Sequence, residues 1–208
     1  MSERQPTKGT EVAALEARRN EQDVLAEGAL IGERRAAIAR LAMIAMFAAV
    51  SIARSGEREV AQMVVGTSYA VFSVITLIIV LRSKKGVPGR ARWRPLLLTA
   101  IDFAMITTMA MLNVERGDGF APGRHAIASA IVISFSVARL GVFHVAVSVA
   151  LAIASYAFVS RHGGVLATQD TVFAMAGYLV LGFMIAMTNR AVSGMFAGLR
   201  QRDNLTRF

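Results

Sequence analysis

The chain contains no cysteine. Neither a disulfide framework nor a thiolate metal site can therefore organise it. The first 35 or so residues are polar and charged, with no apolar stretch near Met1. That start argues against a cleavable secretory signal, so the first apolar segment must also direct insertion. Charged residues make up only 18% of the chain and histidine occurs three times, as His125, His144 and His162. His125 and His162 fall in expected outer loops and His144 at an inner turn, so no two share a helix face at ligand spacing. No phosphate-cradling glycine loop, nucleophile elbow or pair of facing carboxylates occurs. The net charge is +9, yet no nucleic-acid-reading motif accompanies it. Nucleic acid is therefore not an expected partner, and no catalytic, cofactor or metal residue is assigned to this chain.

What the sequence does hold is apolar sequence in long blocks, 55% of the chain in all. The blocks are separated by short basic clusters, and they neither alternate like barrel strands nor show an amphipathic period. Backbone polar groups in hydrocarbon must bond within their own element, so the blocks predict spanning helices. They run at about 36–53, 60–81, 95–113 and 172–188, with a further stretch from Ala126 to Val159. That stretch is 34 residues long. As one helix it would measure about 50 Å, against a hydrocarbon core of about 30 Å. A turn at 139–144, around Gly141, divides it. The expected fold is all-α: a polytopic membrane protein of six transmembrane helices with both termini in the cytoplasm.

Basic residues support that orientation. Eighteen fall in the expected inner segments 1–40, 82–94, 139–144 and 190–208. The outer loops keep five: Arg54, Arg58, Arg116, Arg124 and Arg161. Lysine and arginine hold loops on the cytoplasmic side. The expected organisation is a cytosolic N-terminal helical arm over 1–35, a six-helix membrane domain over 36–190 and a cytosolic connector helix over 191–208. The basic loop from Arg82 to Arg94, with Trp93, is suited to touch anionic lipid headgroups.

Two kinds of residue stand out inside the spans. Asp102 is the one acidic residue well within an apolar block, and an intramembrane carboxylate marks a functional or structural centre. It is expected to accept hydrogen bonds from Thr, Ser or Tyr side chains, or to reach Arg94 or Arg139. Asp102 and Arg139 are accordingly the candidate polar signalling residues. A transport path needs ionisable groups at several depths, and a single carboxylate argues against one. The second kind is small: Ala146, Ala150 and Ala154 in the fifth block, and Gly182, Ala186, Gly194 and Gly198 along the sixth. Such rows let helix backbones approach closely, and the second row is a candidate seam within the bundle or between two chains.

The C-terminal stretch reads Arg202-Asp203-Asn204-Leu205-Thr206-Arg207-Phe208. It resembles the segment Arg-x-Asn-Leu-x-Arg-Phe/Tyr that follows the last span of six-span bacterial class III adenylate cyclases. The entry Glu33-Arg34-Arg35, Asp102 early in the third span and the arginine turn around Arg139 agree in style. The resemblance implies that this chain is the anchor and sensory half of a homodimer in the bacterial inner membrane. A signal, whether small molecule, lipid or protein, would pass through the sixth helix to a cyclase domain beyond the connector. The metal-binding aspartates of that domain, which take Mg or Mn, have no matching positions here, so this chain alone is not expected to be an enzyme. Two other readings stand beside it. An anchor of a diguanylate cyclase or histidine kinase shares part of the connector, though Arg207 replaces the glycine that diguanylate cyclases use. A small stand-alone transporter would show paired repeats, which are not evident.

Overall fold

A computed structural model describes residues 30–49, 60–83, 90–115, 121–139, 142–164 and 169–206. The elements among these residues are all helical: α1 (30–49), α2 (Val60–Arg82), α3 (Arg90–Glu115), α4 (Pro122–Ser134), α5 (Val142–His162) and α6 (Gln169–Thr206). A five-residue 3-10 turn, Phe135–Arg139, continues α4. The expected N-terminal arm before residue 30, the basic loop at 84–89 and the final Arg207 and Phe208 lie outside the described residues.

Local chemistry explains several helix ends. Pro122 opens α4, where its missing N–H is no loss and its fixed φ suits a first turn. At the far end of α4 the Phe135 N–H reaches the carbonyls of Ile131, Val132 and Ile133, and the Ser136 hydroxyl donates to the Ile133 carbonyl. Both contacts tighten the coil from α to 3-10. The α-helix thus ends at Ser134 and the 3-10 turn at Arg139, a little earlier than the expected turn at 139–144, and α5 begins at Val142. α5 closes on Gly164, which takes φ +72°, a left-handed conformation that suits glycine at a helix end.

Among the described residues four helices are long and apolar enough to cross a membrane: Val60–Arg82, Trp93–Glu115, Val142–His162 and Gln169–Val192. The distribution of side chains agrees. Val71, Ile75, Ile79, Leu97, Phe173, Leu179, Phe183 and Met184 face outward, while Arg40, Asp102, Ser73, Ser129, Ser136 and Asn189 are buried. A water-soluble bundle would invert that order, since exposed apolar patches of this extent demand a cover. A hydrocarbon surround supplies one.

α5 is the centre of the bundle and packs against α3, α4 and α6; α2 packs on α3. Its buried face (Val145, Val149, Ala152, Tyr156 and Val159, interleaved with Ser148, Ser155 and Ser160) repeats every three to four residues. α6 answers with Tyr178, Gly182, Ile185 and Asn189. Gly182 is required there. A β-carbon on it would overlap the Val149 side chain, so its absence lets the two backbones meet.

Candidate functional site

Among the described residues two polar centres are buried inside the bundle, both touching α3. The first is an ion pair. Arg40 of α1 donates from Nε to Asp102 Oδ1 and from Nη2 to Oδ2, each at 2.7 Å. The Tyr69 hydroxyl of α2 donates to Oδ1 at 2.6 Å. Arg40 and Asp102 are each 1% exposed. The two-pronged geometry matches the planar guanidinium to the carboxylate. Within the apolar segment Trp93–Glu115, Asp102 lies about 14 Å from one end and about 20 Å from the other. It therefore sits near mid-depth, where an unpaired charge is costly. One carboxylate thereby fastens three helices, α1, α2 and α3.

This arrangement corrects part of the sequence reading. The tyrosine was expected by type, but the arginine is neither Arg94 nor Arg139. Arg94 instead lies 3.6 Å from Glu33, near the point where Arg34 donates to the Ser83 carbonyl at 3.1 Å. These contacts tie the start of α1 to the end of α2 and the start of α3. Arg139 ends the 3-10 turn, and its side chain lies outside the described residues. Arg40 is consequently not a loop charge. Removing it leaves seventeen basic residues in the expected inner segments against five in the expected outer loops. The signal for Arg40 was present in the sequence: a lone arginine inside an apolar run, which demands an anion at the same depth.

The second centre is a hydroxyl–imidazole network. His125 Nε2 lies 2.9 Å from Ser155 Oγ, and His125 Nδ1 lies 3.3 Å from Ser129 Oγ. Ser155 Oγ also lies 2.6 Å from Thr107 Oγ1, and Thr107 donates to the Phe103 carbonyl at 2.7 Å. The His125 ring meets Tyr156 edge-on at 5.3 Å, and Tyr156 meets Tyr178 at 6.0 Å. Residues from α3, α4, α5 and α6 converge here. His125 is not in a loop, as the sequence reading placed it. It lies in the first turn of α4 and is 4% exposed. Pro122 carried the missed signal, because a proline that can open a helix moves its start ahead of the first apolar residue. His144 sits in the first turn of α5 and His162 ends it. Among the described residues no three His, Asp or Glu side chains come together as a metal site.

The small-residue row divides into parts. Gly182 faces Val149 and Val145 of the same chain, and Ala186 packs on the core. Both belong to the α5–α6 contact within one bundle. Gly194 is exposed with open space around it, while the surroundings of Gly198 lie outside the described residues. Ala146 and Ala150 line an apolar groove between α5 and α6, with Leu179 and Phe183 opposite. Connector residues Arg202, Asp203, Asn204 and Leu205 continue the α6 helix; their side chains are outside the described set. No family model matches the chain, and no curated protein or solved structure matches it.

Proposed function

We propose that this chain is the six-span membrane domain of a bacterial class III adenylate cyclase, with both ends in the cytoplasm. It anchors the protein in the inner membrane and passes a signal along α6 to a cyclase domain. Six spans are supported by length. α1 is described over 30–49, and its part within the expected membrane domain, 36–49, measures about 21 Å at 1.5 Å per residue. α4 and its 3-10 turn together run 122–139, about 30 Å once the longer rise of 3-10 is included. The second matches a hydrocarbon core of about 30 Å, and the first covers about two thirds of one.

The observation that carries the reading is α6. It is one helix of 38 residues, about 57 Å long, of which Gln169–Val192 is the apolar crossing segment. The remainder extends beyond the apolar zone without a break and includes Arg202-Asp203-Asn204-Leu205, the part that resembles the cyclase connector. A rigid rod joined to a packed bundle can convey a shift or rotation, whereas a flexible linker cannot. The stimulus acts by binding one bundle arrangement better than another. Because Gly182 is occupied within the chain, the contact between two copies falls to Gly194 and Gly198 and to the helix beyond them. Catalysis and the divalent metal belong to the cyclase domain, not to this chain.

The test is expression of the full reading frame containing this chain in a bacterium without its own adenylate cyclase. Accumulation of cyclic AMP is expected. Cyclic di-GMP without cyclic AMP would point to the diguanylate cyclase anchor, and neither nucleotide would overturn the reading. Topology is checked separately by single cysteines at Ser83 and Thr206, which the cysteine-free chain accepts on a clean background. Both are expected to resist membrane-impermeant thiol reagents in intact cells.

A further inference from the structure

The hydrogens of the second polar centre can be assigned one by one. Thr107 uses its single hydroxyl hydrogen on the Phe103 carbonyl, so toward Ser155 it must accept. Ser155 therefore donates to Thr107 and, having no second hydrogen, accepts from His125 Nε2. Nε2 therefore carries the hydrogen of this contact, and the ring, 4% exposed, is neutral because an uncompensated charge is costly to bury. Nδ1 is then an acceptor, and Ser129 donates to it across 3.3 Å. The order runs from α4 through α5 to α3 with one hydrogen per link.

One group is left over. The Tyr178 hydroxyl of α6 is buried and makes no hydrogen bond of normal geometry, although it faces Ser129. Tyr178 is 3% exposed. A buried hydroxyl without a partner is costly and calls for an explanation. Among the described residues the other titratable and charged groups near His125 can be named. Tyr156 of α5 stands edge-on to it. Tyr156 engages Thr171 and feels Asp170 at the start of α6. Asp170, Arg124, Arg161, His162 and Glu115 are exposed at the ends of their helices. Asp102, further along α3, is already paired with Arg40.

We propose that His125 is a proton-binding switch facing the outer side of the membrane, with Tyr178 as its waiting acceptor. A proton from outer water binds Nδ1. The imidazolium then donates from both nitrogens, to Ser155 and to Ser129. Ser129 can no longer donate to Nδ1, so its hydroxyl turns and donates to the Tyr178 oxygen. No covalent bond between heavy atoms changes, and the site gains one positive charge. The new hydrogen bond draws α6 onto α4, and α6 is the helix that leaves the bundle. Thr171 and Tyr156 provide a polar path from the outer end of α6 to the ring. The switch does not depend on which domain follows the connector, and it is tested on the membrane chain alone.

The chain is labelled with 15N-histidine, placed in lipid nanodiscs and titrated from neutral to acidic pH by NMR, with His125→Gln identifying the His125 signals. The expected result at neutral pH is hydrogen on Nε2 alone, with both nitrogens protonated on acidification. Tyr178→Phe should lower the midpoint of that transition by about one pH unit, a tenfold loss of proton affinity, leaving His144 and His162 unmoved. Ser129→Ala should lower it likewise, which keeps the test open if the tyrosine variant does not fold. A neutral ring with hydrogen on Nδ1 would overturn the proposal. So would midpoints equal to native in both variants, or a ring that stays singly protonated until the bundle unfolds.

Discussion

Removing either member of the Arg40–Asp102 pair should damage the bundle far more than removing both. Arg40→Met leaves a carboxylate at mid-depth with only the Tyr69 hydroxyl for company. Asp102→Leu leaves a guanidinium that is 1% exposed with no anion. Breaking a buried pair from one side typically costs about 3–5 kcal/mol, because the surviving charge is uncompensated. The double variant removes both charges and fills the space with apolar side chains, and such replacements of a buried pair are often neutral. Its one clear loss is the Tyr69 hydrogen bond, an orphaned hydroxyl worth about 1–3 kcal/mol. The two single effects should thus sum to about 6–10 kcal/mol, against about 1–3 for the double. The coupling energy is then at least about 3 kcal/mol. Adding Tyr69→Phe to the double variant should recover most of the remaining loss. The assay is reversible unfolding of the purified chain in mixed dodecyl maltoside–SDS micelles, followed by circular dichroism. A double variant as unstable as the sum of the singles would refute the reasoning, since it would mean that the two side chains do not depend on each other.

Further outcomes follow from other contacts. Gly182→Ala should destabilise the chain by about 1–3 kcal/mol in the same assay, the usual range for overpacking a core, and Val149→Ala should relieve much of that loss by vacating the overlapped space. Asn189 is buried, donates weakly to the Ser136 carbonyl at 3.4 Å and leaves its own carbonyl oxygen unpaired. Asn189→Leu should therefore be neutral or stabilising, by up to about 2 kcal/mol, and a loss of that size would show that the amide is satisfied by water. Glu33 is buried and lies 3.6 Å from Arg94, so Glu33→Gln, which removes the charge and keeps the shape, should cost about 1–3 kcal/mol. A loss comparable to Asp102→Leu would place Glu33 in the same class as the central pair.

Much of this protein was determined by its sequence alone. Long apolar blocks between basic clusters leave only spanning helices, because hydrocarbon offers a backbone no other partners. The need for a division inside 126–159 came from length and was met by two helices, α4 with its 3-10 turn ending at Arg139 and α5 starting at Val142. Asp102 announced itself as the one acid in an apolar run. Its partner did not, because which arginine reaches a given carboxylate depends on how α1 leans on α3, and charge counting treated Arg40 as a loop residue. His125 was misplaced for a related reason: an apolar count cannot see a polar first turn that neighbouring helices bury. The alternation of Ser129, Ser155 and Thr107 around that ring joins residues up to 48 positions apart. No local pattern specifies such a meeting. Gly182 shows the same division, since its spacing marked a close approach but only the packed bundle made Val149 the neighbour. Helix identity is a local consequence of what hydrocarbon forbids, whereas polar pairing is a property of several helices together.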